Sequence, residues 1–244
     1  MGLKEEIVGV CEKCGRTGYV DHEICECLLK FRAYNRLLGS GFHKKLLDKA
    51  SDPNFKFPKF ESGKGFVEYY LSDLAKVEAE GFMLYIFSNE RGRGKTTLAH
   101  YIMWKVAYLY SRTENYRRED SLSFGFERAK TVLGNEKGPE HTTFYVLDDL
   151  GSETRTPAWK KELVLSDLQE LLHYRRDKHL PTVITSNYPP LGLSEIYNGA
   201  LDSLLEIKSD GTIGGSLIRQ AELGGDEDYR LLEEDSEWPT DENR

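Results

Sequence analysis

Cysteine is missing from this chain after residue 27, and that absence is informative. All four cysteines fall between Cys11 and Cys27, a clustering that argues for a metal site and against a disulfide framework. Long hydrophobic runs are also lacking. The longest apolar stretch, FMLYIF from Phe82 to Phe87, is strand-sized and far short of the roughly 20 residues a membrane helix needs. The N-terminus MGLKEEIVGVCEKC has no basic-then-apolar-then-small pattern, so no secretory leader is expected. Glu6 stands where a myristoylation signal beginning at Gly2 wants Ser or Thr. These absences lead to the expectation of a cytoplasmic protein with no membrane contact. Positive charge is not in excess either. A net charge of −8 excludes a generally basic nucleic-acid coat, though not a local basic groove. The acid is unevenly placed: residues Gly224–Arg244 carry nine carboxylates against two arginines, which leaves the body close to neutral. That tail reads as a solvated, poorly ordered end.

What is there divides into regions. Residues 1–50 hold the cysteines and then a helical-looking stretch from Leu28 to Ala50. Residues 51–64, rich in Pro, Phe, Lys and Gly, read as a linker or as an arm lying over the next domain. Residues 65–223 alternate helices with apolar strands. A helix is expected over 66–81, a strand over 82–87, a helix over 96–112, a strand over 142–150, a helix over 159–178 and a strand over 181–187; residues 121–132 are ambiguous. Strands alternating with helices predict an α/β fold with a parallel sheet covered on both faces.

Between the first strand and its helix lies SNERGRGKTTLA, Ser88–Ala99. G-x-G-K-T in that context predicts a phosphate loop, whose backbone N–H groups and following helix N-terminus cradle an anion. The expected cofactor-binding residues are Asn89, Arg91, Gly92, Arg93, Gly94, Lys95, Thr96 and Thr97. Lys95 is expected to reach the β- and γ-phosphates, and Thr96 to offer its hydroxyl to Mg²⁺. Asn89 occupies the opening bend where glycine is usual; asparagine tolerates the left-handed region best among the other residues. The second strand ends in FYVLDD, which assigns Asp148 to Mg²⁺ and Asp149 to the attacking water. The third strand ends at Asn187, placed to meet a γ-phosphate or that water. Lys95, Asp149 and Asn187 are therefore the expected catalytic group.

The cysteines read C-x₂-C, ten residues, then C-x-C. Cys11, Cys14, Cys25 and Cys27 can close a tetrahedral Zn²⁺ site, and a region this small would draw its folding free energy from the metal. A redox pair or a chance grouping is the competing reading. His22 is expected at the surface.

Taken in order, the cysteine-rich start, the phosphate loop, DDLGSE (Asp148–Glu153) and YRRDKHLPTVITSN (Tyr174–Asn187) resemble the bacterial and phage helicase-loader ATPases of the DnaC/DnaI kind, a branch of the AAA+ class. The resemblance spans about Cys11 to Ile207. It implies an AAA+ sheet, a zinc-containing module that grips a replicative DNA helicase, and ATP-dependent delivery of that helicase onto single-stranded DNA. Its divergent motifs point to a phage or mobile element. One departure stands out: Ser203 occupies the place where the family carries an arginine that acts on a neighbour's ATP. Arg175 and Arg219 are the remaining candidates for such a cation, and Arg219 also matches the family's late nucleotide-sensing arginine with a one-residue shift. Self-association is thus open. Two other readings stay beside the loader: a transposition helper ATPase, and a helicase-binding inhibitor that does not hydrolyse ATP. Contact with single-stranded DNA would fall on Arg117, Arg118, Lys160, Lys161, Arg175 and Arg176, with Tyr116, Trp159 and Tyr174 available for stacking.

Overall fold

The computed structural model describes residues 11–112, 122–131, 142–155, 158–215 and 217–225. The acidic tail beyond residue 225, the DNA-contact candidates Tyr116, Arg117 and Arg118, and the side chains of Trp159, Lys160 and Lys161 lie outside what is described.

The chain opens with a short hairpin, β1 (Tyr19–Val20) and β2 (Glu23–Ile24), then α1 (Glu26–Gly39) and α2 (Lys44–Ser51). Next come β3 (Phe60–Ser62), α3 (Lys64–Ser72), α4 (Leu74–Glu80), β4 (Met83–Phe87) and α5 (Lys95–Arg112). The remainder is β5 (Phe124–Arg128), β6 (Phe144–Leu150), α6 (Ala158–Asp177), β7 (Thr182–Ser186), α7 (Pro190–Ile196), α8 (Asp202–Leu205) and β8 (Ile218–Leu223). The larger sheet runs in the order β3-β8-β4-β7-β6-β5. Five of its strands are parallel, and β3 lies antiparallel on the edge of β8.

Alternation along the central strands divides the core in two. Leu84 and Ile86 of β4 join Val146, Val183 and Ala221 against α1, α2, α3 and α5. Met83, Tyr85 and Phe87 join Tyr145, Leu147 and Ile184 against α6, α7 and α8. Every residue of β4 and β7 is buried, which is why both read in sequence as nearly unbroken apolar runs. The expected α/β fold, a parallel sheet with helices on both faces, is the one observed, with one antiparallel strand added at its edge.

Three local readings are sharpened by the structure. The helix expected over 66–81 is two helices, because the Asp73 carboxylate accepts from the Lys76 N–H at 3.2 Å and caps a new start. Of the two readings of 51–64, the arm is the one observed: Phe60–Ser62 extends the sheet, and Phe55 and Phe57 pack on Tyr101 of α5 with ring centroids 4.4 and 4.8 Å apart. A division at residue 50 would cut through continuous packing, since Leu29, Tyr34, Leu37, Leu47 and Ala50 share the core that holds α5 and the sheet.

Candidate functional site

Glycine is required twice in the loop between β4 and α5. Gly92 and Gly94 both have φ near 80°, a region in which a β-carbon is disfavoured. Together they turn the chain so that α5 begins at Lys95 with its first residues lining a cavity of about 510 Å³, within the size range of small-molecule sites. Arg91, Gly92, Arg93, Gly94, Lys95, Thr96 and Thr97 all line it. The Lys95 ammonium donates to the Glu90 carbonyl at 2.8 Å and to the Ser88 carbonyl at 3.4 Å. Arg93 pairs with Glu90 across the same loop.

Asn89 does not join them. It is exposed, keeps a negative φ, and faces a separate cleft with Glu61, Ser88 and Glu222. The loop thus needs no left-handed residue at position 89, which removes the reason glycine would be demanded there.

β7 stands between β4 and β6, and this order brings three strand ends to one cavity. Asp148, Asp149, Thr185 and Asn187 line the side opposite the loop. A bulge aims the two carboxylates: Leu147 opposes Ile184, yet Leu150 opposes Ser186, so β6 carries one extra residue. Asp149 sits in that bulge at φ 60°, the kind of sparsely populated conformation that gathers at functional sites. Asp148 Oδ1 accepts from the Thr96 hydroxyl at 2.8 Å and from the Thr185 hydroxyl at 2.7 Å. Thr185 Oγ1 in turn accepts from the Asp149 N–H at 2.9 Å. Asn187 donates to Asp149 Oδ1 at 2.6 Å. Burial pushes the Asp148 carboxyl above the usual carboxylate range, and the hydroxyls of Thr185 and Thr96 draw it partly back. A divalent cation beside it would favour the ionised form. Two hard oxygen donors, Thr96 Oγ1 and Asp148 Oδ1, already lie together at the cavity wall, which suits Mg²⁺ with water completing its shell.

Four participants escaped sequence reading. Thr185 is a polar residue inside a buried strand; its place two residues before Asn187 was the available signal. Arg128 ends β5, a strand the sequence left ambiguous, and its Nε lies 3.8 Å from Asp148 Oδ2. Leu46 of α2 supplies an apolar wall. Glu153, buried behind the bulge, takes the Gly151 N–H on both oxygens at 3.0 and 3.3 Å. Burial holds its carboxyl up at about 7.

Neither fallback arginine reaches the cavity. Arg175 is fully buried; it donates to Thr182 Oγ1 and to the carbonyls of Thr142, Thr143 and Pro181, so it ties strand starts together far from the loop. Arg219 lies opposite Leu84 near the other end of β4, donates to the Gly215 carbonyl and covers the Phe66 ring at 5.8 Å. Arg176 donates to the Ser203 carbonyl at 2.6 Å and to Glu206 at 3.3 Å.

The cysteines form a second centre. All four sulfurs lie within 4.8 Å of one another, with Cys11–Cys25 at 3.8 Å and Cys14–Cys27 at 3.6 Å. Sulfurs on a tetrahedral Zn²⁺ stand roughly 3.8 Å apart given a Zn–S bond near 2.3 Å, so the set fits. The Gly18 N–H donates to Cys14 Sγ at 3.3 Å. Burial works against the Cys14 thiolate, but that N–H and the neighbouring thiols bring it down to about 6. The loss of charge repulsion on metal binding would favour all four as thiolates. His22 is exposed and takes no part.

No protein-family model and no curated protein matches the chain. Among solved structures it is similar to DnaI, with 18% identity over 77% of this chain and 94% of that one at a TM-score of 0.48. It is also similar to domain III of the Thermotoga maritima replication initiation protein DnaA, with 19% identity over 71% and 68% at a TM-score of 0.44. The DnaC helicase loader aligns over 75% of this chain and 100% of its own at 21% identity and a TM-score of 0.50. In fold, this chain is similar to the DnaC helicase loader.

Proposed function

We propose that this protein is an ATP-dependent loader of a replicative hexameric DNA helicase, working at single-stranded DNA during replication initiation. One observation carries the reading: Lys95, Thr96, Asp148, Asp149 and Asn187 meet in one cavity on a fold similar to that of the DnaC helicase loader. The loop N–H groups and Lys95 would hold the phosphates. Thr96 and Asp148 would hold Mg²⁺, which supplies charge neutralisation at the β- and γ-oxygens. Asp149, fixed by Asn187, would orient the attacking water and accept its proton. We assign the helicase grip to the cysteine module and weak ATP hydrolysis to the cavity. The full burial of Arg175, which keeps it from a neighbour's ATP, favours one alternative: a helicase-binding protein in which ATP sets the conformation without significant turnover.

The test is native mass spectrometry of this chain with the replicative helicase of its host, with and without ATP and Mg²⁺. A complex carrying one zinc per chain and changing with nucleotide is expected. No complex in either state overturns the loader reading. Lys95→Ala should abolish ATP binding and leave helicase binding intact; retained ATP affinity would remove the phosphate-loop assignment.

A further inference from the structure

We propose that Arg128 reads the terminal phosphate of a bound nucleoside triphosphate from within the same chain. The assignment rests on the reading of the cavity as an ATP site.

Position comes first. β5 pairs with β6 in register, with Arg128 opposite Asp148, so the strand end delivers a guanidinium to the wall where Asp148, Asp149 and Asn187 gather. The loop on the other wall cradles the inner phosphates, which leaves the carboxylate wall for the terminal one. Arg128 lines the cavity with them.

Its attachment comes second. Arg128 Nε stands 3.8 Å from Asp148 Oδ2, the oxygen that Thr96 and Thr185 leave unused, since both donate to Oδ1. Among the described residues this is the only ion pair Arg128 makes, and its side chain is 46% exposed. A guanidinium held at that distance by a single oxygen is free to change partner. Its fork geometry matches phosphate bidentately. Other arginines are committed: Arg175 to five backbone and hydroxyl oxygens, Arg176 to Ser203 and Glu206, Arg93 to Glu90. Arg91 lines the cavity too, but from the exposed rim of the loop itself, where it would meet diphosphate and triphosphate alike. Position 203 offers only a serine, so Arg128 supplies within one chain the cation that the family resemblance places on a neighbour.

The experiment is calorimetric titration of the wild-type chain, Arg128→Gln, Arg128→Lys and Arg91→Gln with ADP and with a non-hydrolysable ATP analogue, both with Mg²⁺. Arg128→Gln should weaken the triphosphate analogue roughly tenfold or more, the scale of a charge-assisted hydrogen bond, and leave ADP nearly unchanged. Arg128→Lys should fall between, and Arg91→Gln should weaken both ligands in proportion. An unchanged ATP-to-ADP ratio in Arg128→Gln, with a thermal melt showing a folded protein, overturns the role of Arg128 alone. A wild-type chain that binds neither nucleotide overturns the cavity reading beneath it.

Discussion

Asn187 donates its side-chain amide to Asp149 Oδ1 at 2.6 Å, joining the ends of two neighbouring parallel strands. Without that bond, the Asp149 carboxylate loses its aim. Asn187→Ala should therefore lower the ATP turnover number by roughly 10–100-fold, a part of the roughly 10²–10⁴-fold that a positioned base contributes. ATP affinity should hold, because the loop and Lys95 are untouched. Steady-state turnover set beside equilibrium binding separates the two, and a parallel loss of affinity would place Asn187 on the phosphate instead.

Glu153 gives a pH signature. Burial, then repulsion from Asp149, holds its carboxyl at about 7 against an ordinary 4.5. A carboxyl whose folded value is raised binds more protons in the folded state, so stability falls as pH rises from about 4.5 to 7. The cost is absent below that window and fully present above it. Glu153→Gln keeps an acceptor for the Gly151 N–H and removes the buried charge. The variant should be more stable than wild type at pH 8 by about 2–3 kcal/mol and should match it near pH 4. Denaturant midpoints at the two pH values decide this; equal shifts at both would mean packing, not charge.

The cysteine module should be separable from the rest. β1 and β2 are two residues each, too little to hold a fold, whereas structural zinc contributes about 10–16 kcal/mol in small finger peptides. Cys14→Ser should abolish zinc retention. The main thermal transition and ATP binding should survive, because Leu29, Ala33, Tyr34 and Leu37 of α1 are anchored in the sheet's core. Metal content by mass spectrometry and a far-UV melt would show it, and collapse of the whole chain would refute it.

Arg175 and its sequence neighbour Arg176 offer a matched pair. Removing a buried charge that satisfies several carbonyls leaves those acceptors orphaned and costs about 3–5 kcal/mol. Arg175→Met should lower stability on that scale. Arg176→Ala, in a partly exposed pair with Glu206, should change it by less than about 1 kcal/mol. Urea unfolding of both variants provides the comparison.

Much of this was legible because buried parallel strands and phosphate loops are written locally. FMLYIF, FYVLDD and TVITSN announce strands, and G-R-G-K-T can only be useful between a strand and a helix. β8 was not legible: IRQAEL buries Ile218, Ala221 and Leu223 while its polar residues stay partly exposed, so its apolar signal is thin. β3 owes its existence to pairing with β8, a contact that no local pattern encodes. Arg128 was missed because FGFER reads as a strand only once β6 stands beside it. Arg219 was misplaced for the converse reason: a motif one residue out of step matched in order but landed at the far end of its strand. Asn89 was given a backbone role that the loop assigns to Gly92 and Gly94.

Cys25 immediately precedes α1, and Cys27 lies in its first turn. That helix packs on α5, the helix that opens at Lys95, and His100 of α5 accepts the His43 N–H at 3.2 Å while its other ring nitrogen meets the Thr96 carbonyl at 2.8 Å. No slack segment separates the sulfur cluster from the nucleotide wall. A partner gripping the cysteine module would therefore hold a helix packed on α5, the helix whose first turn carries Lys95 and Thr96.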